Sequence, residues 1–203
     1  IGFGSTFLSV FLGTLAAYAF PRFRVPLADD LLFFILSTRM MPPIAVAIPI
    51  FLMYRTLGLS DTHLGMIILY TAVNVSLSVW LLKGFVDEIP REYEEAALSL
   101  GAGPVQTFFA VTLPLLMPGV ISAGLFAFLL SWGNFPLSLF TTGADSTLPK
   151  WLYARMVSGY SPLIPTLGVL SVVGSLILVL LALAAVRLMR TASAGQPPAA
   201  SDN

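Results

Sequence analysis

Long apolar runs separated by short polar stretches set the pattern of this chain. Residues 1–20 are apolar and close on Pro21-Arg22-Phe23-Arg24, and a second run, roughly 31–53, is interrupted by Arg39 and the pair Pro42-Pro43. A third run covers about 64–82 and ends at Lys83, a fourth covers about 112–135, and the last covers about 163–187 and ends at Arg187 and Arg190. Runs of about 20 apolar residues are what an α-helix needs to cross the hydrocarbon core of a bilayer. The pattern therefore predicts an all-α, polytopic membrane helix bundle with five spans. Pro42-Pro43 removes helical hydrogen bonds and crowds the preceding turn, so the second span should be kinked or broken there. Tyr54 to His63 and Gly143-Ala144-Asp145-Ser146 read as turns, and Trp151 to Met156 as an interfacial helix. Residues 1–190 form the expected transmembrane domain. The small, polar, Pro-containing stretch 191–203 is expected to be a disordered tail. The chain opens at Ile1 inside an apolar run with no basic flank, unlike a signal peptide, and is expected to be trimmed, with one more span before it.

The longest region that lipid cannot accommodate is the loop 83–111. At 100° per residue, Tyr93, Ala96, Ala97 and Leu100 share one narrow apolar face, while Glu88, Glu92, Glu95 and Ser99 share another. Pro90 suits the first position of a helix, and Gly101 suits a left-handed residue that ends one. Glu92, Glu94 and Glu95 lie where the positive end of the helix dipole favours carboxylates. The stretch predicts an amphipathic helix of about three turns. Its small-residue face allows close approach by another protein, and its carboxylates offer partners to that protein's Arg or Lys.

Composition narrows the class. A hydrophobic share of 57% and a charged share of 10%, with mean hydropathy +0.91, belong to a membrane protein rather than to soluble domains. Zero net charge gives no case for nucleic-acid binding. The lack of Cys and the single His63 exclude disulfides, thiolate or His-rich metal sites and most His-based catalysis. No catalytic set, cofactor motif or phosphate-binding G-x-x-x-x-G-K-[ST] loop is present, so any ATP hydrolysis must be carried by another chain. Basic residues fix an orientation. Arg22, Arg24, Lys83, Arg91, Arg187 and Arg190 fall on one side, and Arg55, Lys150 and Arg155 on the other. The excess places the loop 83–111 and the C-terminus in the cytoplasm.

Glu95-Ala96-Ala97, Gly101 and Leu113-Pro114 together resemble the EAA loop of ABC-importer permeases, which reads E-A-A, three residues, G, nine residues, I, one residue, L-P. Only the Ile position departs, with Val111 in its place. The resemblance implies a multi-pass permease subunit of the type I ABC-importer kind in the cell membrane. Its implied partners are ABC ATPase subunits, a second homologous permease subunit, an extracytoplasmic solute-binding protein and membrane lipid. It further implies that Glu92, Tyr93, Glu95, Ala96, Ala97, Leu100, Gly101, Leu113 and Pro114 couple the chain to the ATPase. Thr14-Leu15-Ala16-Ala17-Tyr18-Ala19-Phe20, Ile48-Pro49-Ile50-Phe51 and Leu57-Gly58-Leu59-Ser60-Asp61-Thr62 are similar to the carbohydrate-importer branch that includes maltose permeases. Leu98-Ser99-Leu100-Gly101-Ala102 and Tyr153-Ala154-Arg155-Met156-Val157-Ser158-Gly159 are similar to the polyamine-importer branch. A sugar or polyol is the first expectation for the solute, and a polyamine or other small organic solute the second. A membrane-embedded enzyme would need a catalytic set, and an ion-coupled transporter would need ionisable groups distributed through its spans.

Polar groups inside the spans suggest a translocation path. Arg39 is the ionisable group deepest in a span, where such groups are costly. It faces the path, braces the Pro42-Pro43 break or snorkels to the cytoplasmic interface. Asn74, Ser76 and Ser78 in the third span and Ser131 and Asn134 in the fourth either line a polar cavity or bond helix to helix. Trp132, beside Gly133 and Asn134, is a candidate platform for a sugar ring. Met40 and Met41 read as gap fillers at an irregular helix.

Overall fold

Within a bilayer a backbone must satisfy its own hydrogen bonds, and the apolar runs of this chain do so as helices. The computed structural model describes residues 1–143, 147–159 and 162–194, and every regular element among them is helical. In chain order these are α1 (Gly2–Arg22), α2 (Ala28–Ser37), a 3₁₀ turn (Thr38–Met40), α3 (Pro43–Thr56), α4 (His63–Asp87) and α5 (Arg91–Ser99). Then follow α6 (Pro104–Thr107), a π-helical segment (Phe108–Thr112), α7 (Leu113–Trp132), α8 (Phe135–Thr141), α9 (Leu148–Ser158) and α10 (Leu163–Ala194).

Four of these stretches are long and apolar enough to cross a membrane unaided: α1, α4, α6 through α7, and α10. The fifth is the pair α2 and α3, bent by 93° at its break. Met41 and Pro42, each followed by a proline, take extended backbone with ψ near 125°, which the steric demand of a following proline ring dictates. The two tips of the pair lie toward opposite ends of α4. Ala28 opens α2 six residues after Arg22, which bonds the Ile89 carbonyl, whereas α3 finishes where Tyr54 donates to the Gly65 carbonyl at the start of α4.

α1, α4 and α7 form the packed centre. Val10, Ala17, Leu82, Val86, Leu116, Ala123 and Ala127 fill it. Helices surrounded by lipid gain little from apolar burial alone and associate through close backbone approach and hydrogen bonds. Gly13 supplies the approach: a Cβ there would lie 2.6 Å from the Ser78 Cβ. Ser5 and Ser131 hydroxyls meet at 3.0 Å, and Asn74 Nδ2 donates to Ser131 Oγ (2.8 Å) and to the Ala127 carbonyl (3.3 Å). A second cluster, Tyr54, Met66, Leu69, Tyr70 and Leu137, joins α3, α4 and α8, with the Tyr70 hydroxyl donating to the Asn134 carbonyl at 2.9 Å. α10 lies on the outside of the bundle: none of its apolar window is buried, and Trp132 of α7 reaches it by donating Nε1–H to Ser171 Oγ at 2.8 Å.

Several expected boundaries move. The polar loop is shorter than 83–111, because α4 continues to Asp87 on the i,i+4 ion pair Lys83–Asp87 (2.6 Å) and the next helix already starts at Pro104. Pro90 is the N-cap rather than the first residue of α5. The interfacial helix is longer than Trp151 to Met156, spanning Leu148–Ser158. α10 takes in 191–194, the first residues of the expected tail, while 195–203 and most of the turn at Gly143 (144–146) lie outside the described residues. Met40 and Met41 fill no gap: they are 82% and 58% exposed at the break.

Candidate functional site

α5 is short, acidic and held outside the apolar runs. Its C-terminus closes as a Schellman motif: the Gly101 N–H donates to the Leu98 carbonyl and the Ala102 N–H to the Ala97 carbonyl. This requires a left-handed residue, and Gly101 has φ +90°. A Cβ at Gly101 would meet nothing within 4 Å in this chain. The outer face of α5 presents Glu92, Tyr93, Glu95, Ala96 and Leu100, all exposed, with Tyr93 at 54% and Leu100 at 89%, while Ala97 is half-buried at the edge of that face. An isolated chain has no reason to leave Tyr and Leu in water around a small-residue stripe, and such a face suits a partner.

The inner face of α5 carries Glu94, which does not join Glu92 and Glu95 on the outer face. It is buried. Its Oε2 lies 2.9 Å from Arg22 Nε at the end of α1, and its Oε1 accepts from Thr112 Oγ1 at 2.7 Å. Arg22 Nη2 also donates to the Ile89 carbonyl at 2.9 Å, and Arg91 Nη2 to the Pro21 carbonyl. Thr112 closes the π-helical segment, where the Leu113 N–H bonds the Phe108 carbonyl, one residue further back than in an α-helix. Pro114, without an N–H of its own, follows that slip of register, and Thr112 beside it holds the carboxylate. Leu113 and Pro114 thus stand in α7, off the exposed face of α5. One signal marks Glu94 in the sequence: a helix tied between two spans must turn one face toward its own chain, and Glu94 shares that face with Ala97 three residues on.

A second feature is a cavity of about 680 Å³ at the broken span. It is walled mainly by apolar side chains of α3, α4 and α8, with Thr38, Arg39, Asn74 and Asn134 as its polar members. Arg39 sits in the 3₁₀ turn at the break, half-buried, and Nη1 donates to the Val73 carbonyl in α4 at 3.1 Å. It therefore ties the break to α4 and lines the cavity. Ser78, Ser131 and Trp132 are not among the lining residues. Ser78 is pressed against Gly13, Ser131 is bonded between α1 and α4, and Trp132 stacks on Phe128 (5.7 Å) and bonds α10. Asn134 caps α8, its Oδ1 accepting from the Leu137 N–H at 3.3 Å.

Comparison with known proteins gives this geometry a lineage. The trehalose transport system permease protein of Mycobacterium tuberculosis is 35% identical over 148 residues, 73% of this chain and 54% of that protein. The maltodextrin transport system permease protein of Bacillus subtilis is 32% identical over 133 residues, 66% of this chain and 48% of that protein. The chain thus spans about half the length of these curated relatives. A chain of the MetNI methionine ABC transporter, solved in inward-facing conformations, has the same fold, with a TM-score of 0.74 at 21% identity over 93% of this chain and 92% of that one. Residues 9–193 match the family described as "Binding-protein-dependent transport system inner membrane component". On that match, covering nearly all of the sequence, the chain belongs to the binding-protein-dependent transport system inner membrane components.

Proposed function

We propose that this chain is the permease subunit of an ATP-driven importer of sugars or polyols, and that α5 is the element on which a cytoplasmic ATPase seats. The observation that carries the reading is the exposed face of α5, bearing Tyr93, Glu95, Ala96 and Leu100 on a helix closed by Gly101. The cavity beside Arg39, Asn74 and Asn134 forms part of the solute path, completed by a second, homologous permease subunit, and an extracytoplasmic binding protein delivers the solute. The loop 88–103 and the C-terminus face the cytoplasm. ATP hydrolysis belongs to the partner subunit. The sugar class rests on the relatives named for trehalose and maltodextrin transport.

The test is reconstitution of this chain with its permease partner, ATPase and binding protein in proteoliposomes, supplied with radiolabelled trehalose, maltotriose or spermidine. ATP-dependent accumulation of a sugar is the expected result. Accumulation of spermidine alone would move the solute to the polyamine class, and accumulation without ATPase would remove the importer reading.

A further inference from the structure

The buried contacts on the inner face of α5 carry a second assignment, which rests on the importer reading above. We propose that Glu94, Arg22 and Thr112 form a positioning joint that makes movement of α5 inseparable from movement of α1 and α7. Glu94 is the only side chain of α5 that is buried among the described residues, and it is shared between two spans: Arg22 of α1 at 2.9 Å and Thr112 at the head of α7 at 2.7 Å. Arg22 is in turn fixed to the Ile89 carbonyl just ahead of α5, and Arg91, the first residue of α5, is fixed to the Pro21 carbonyl. Tyr18 packs edge-on against Phe108 at 5.0 Å and adds an aromatic contact between α1 and the π-helical segment beside the joint.

A helix tethered only by its flanking loops can tilt or slide while the spans stay still. A desolvated carboxylate shared by two spans removes that freedom: parting it from Arg22 leaves a buried charge without its counter-ion, and parting it from Thr112 leaves a buried carboxylate oxygen without its hydrogen bond. Glu94 and Glu95, adjacent in sequence, thus divide the work: Glu95 faces the partner, and Glu94 transmits what the partner does.

The experiment measures solute uptake and ATP hydrolysis together in proteoliposomes holding the complete transporter. Glu94→Gln is isosteric and leaves the outer face of α5 untouched. The ATPase should remain bound and continue to turn over, while solute taken up per ATP hydrolysed falls at least about fivefold, the lower end of what coupling between two sites is worth. Thr112→Val, isosteric at the other end of the joint, should lower the same ratio, and Thr112→Ser, which keeps the hydroxyl, should restore it. If Glu94→Gln does not accumulate in the membrane, the Thr112 pair decides. An unchanged ratio in Thr112→Val, or loss of the ATPase from Glu94→Gln together with uptake, overturns the joint. A wild-type chain that binds no ATPase fails earlier and differently: it sinks the importer reading itself.

Discussion

Gly101 and Glu95 lie six residues apart and answer to different physics. Gly101 holds φ +90°, a conformation that costs other residues roughly 1 kcal/mol, yet the space around it is open in this chain. Gly101→Asp should therefore leave the membrane level of the protein near wild type. Where α5 meets a partner, the same change adds bulk and a carboxylate beside Glu92 and Glu95, so uptake should be abolished and the ATPase should no longer co-purify. Normal uptake at wild-type expression would refute the docking role of α5. Glu95→Ala grades the contact. A carboxylate buried at the interface is worth about 2–5 kcal/mol when truncated, and one left at the rim under about 1 kcal/mol. The expected outcome is a partial loss of uptake with unchanged membrane insertion, read by transport and by quantitative blotting. The left-handed turn at Gly101 and the exposed position of Glu95 were legible in the sequence because both depend on spacing along one helix. For Glu94 only its inward face was legible; its partners Arg22 and Thr112 lie 72 and 18 residues away in the chain, where no local spacing points to them.

At the level of elements, hydropathy located the spans because lipid imposes a fixed length on an apolar helix, and Pro42-Pro43 located the break because a proline restricts the residue before it. The 93° angle was not legible, nor was the cavity that it opens, since both depend on where α4 and α8 stand. The same limit explains the polar residues of the spans. Asn74 and Ser78 lie one turn apart on α4, but Asn74 reaches the cavity edge while Ser78 lies opposite Gly13 and is consumed by packing. The α1–α4 crossing is thus a steric lock. Gly13→Val should push the helices apart or distort them, at a cost of about 1–3 kcal/mol typical of an overpacked interior, and should lower the thermal stability of the detergent-solubilised protein. Gly124→Ala is the matched control on α7, because its new Cβ would find its nearest neighbour, Val10, at an ordinary 3.9 Å. Equal melting temperatures for Gly13→Val and wild type would mean that the crossing has slack that the structure does not show.

On the scale of the whole molecule, two sets of contacts define opposite ends. At one, Arg22, Ile89, Arg91 and Glu94 gather around the start of α5; at the other, the Gly143 N–H donates to Asp61 Oδ1 at 2.6 Å and Lys150 Nζ donates to Thr142 Oγ1 at 3.0 Å. In the orientation we propose, which the basic excess supports, the first end faces the cytoplasm. The bent pair decides how many times the chain passes between the two ends, since a broken span and a re-entrant loop differ in where its two tips emerge. This chain has no Cys, so single cysteines report position without a background. Leu57→Cys, just past α3 and 62% exposed, and Val157→Cys, in α9 and 72% exposed, should react with an impermeant maleimide in intact cells. Asp29→Cys at the start of α2 and Glu88→Cys before α5, both exposed, should react only after permeabilisation. The contrast between Asp29 and Leu57 carries most of the information. If both label from the same side, α2 and α3 dip into the membrane and return, leaving four spans instead of five. If Glu88→Cys labels in intact cells while Val157→Cys does not, the whole bundle is inverted, and α5 would lie on the side of the membrane where no ATPase can reach it.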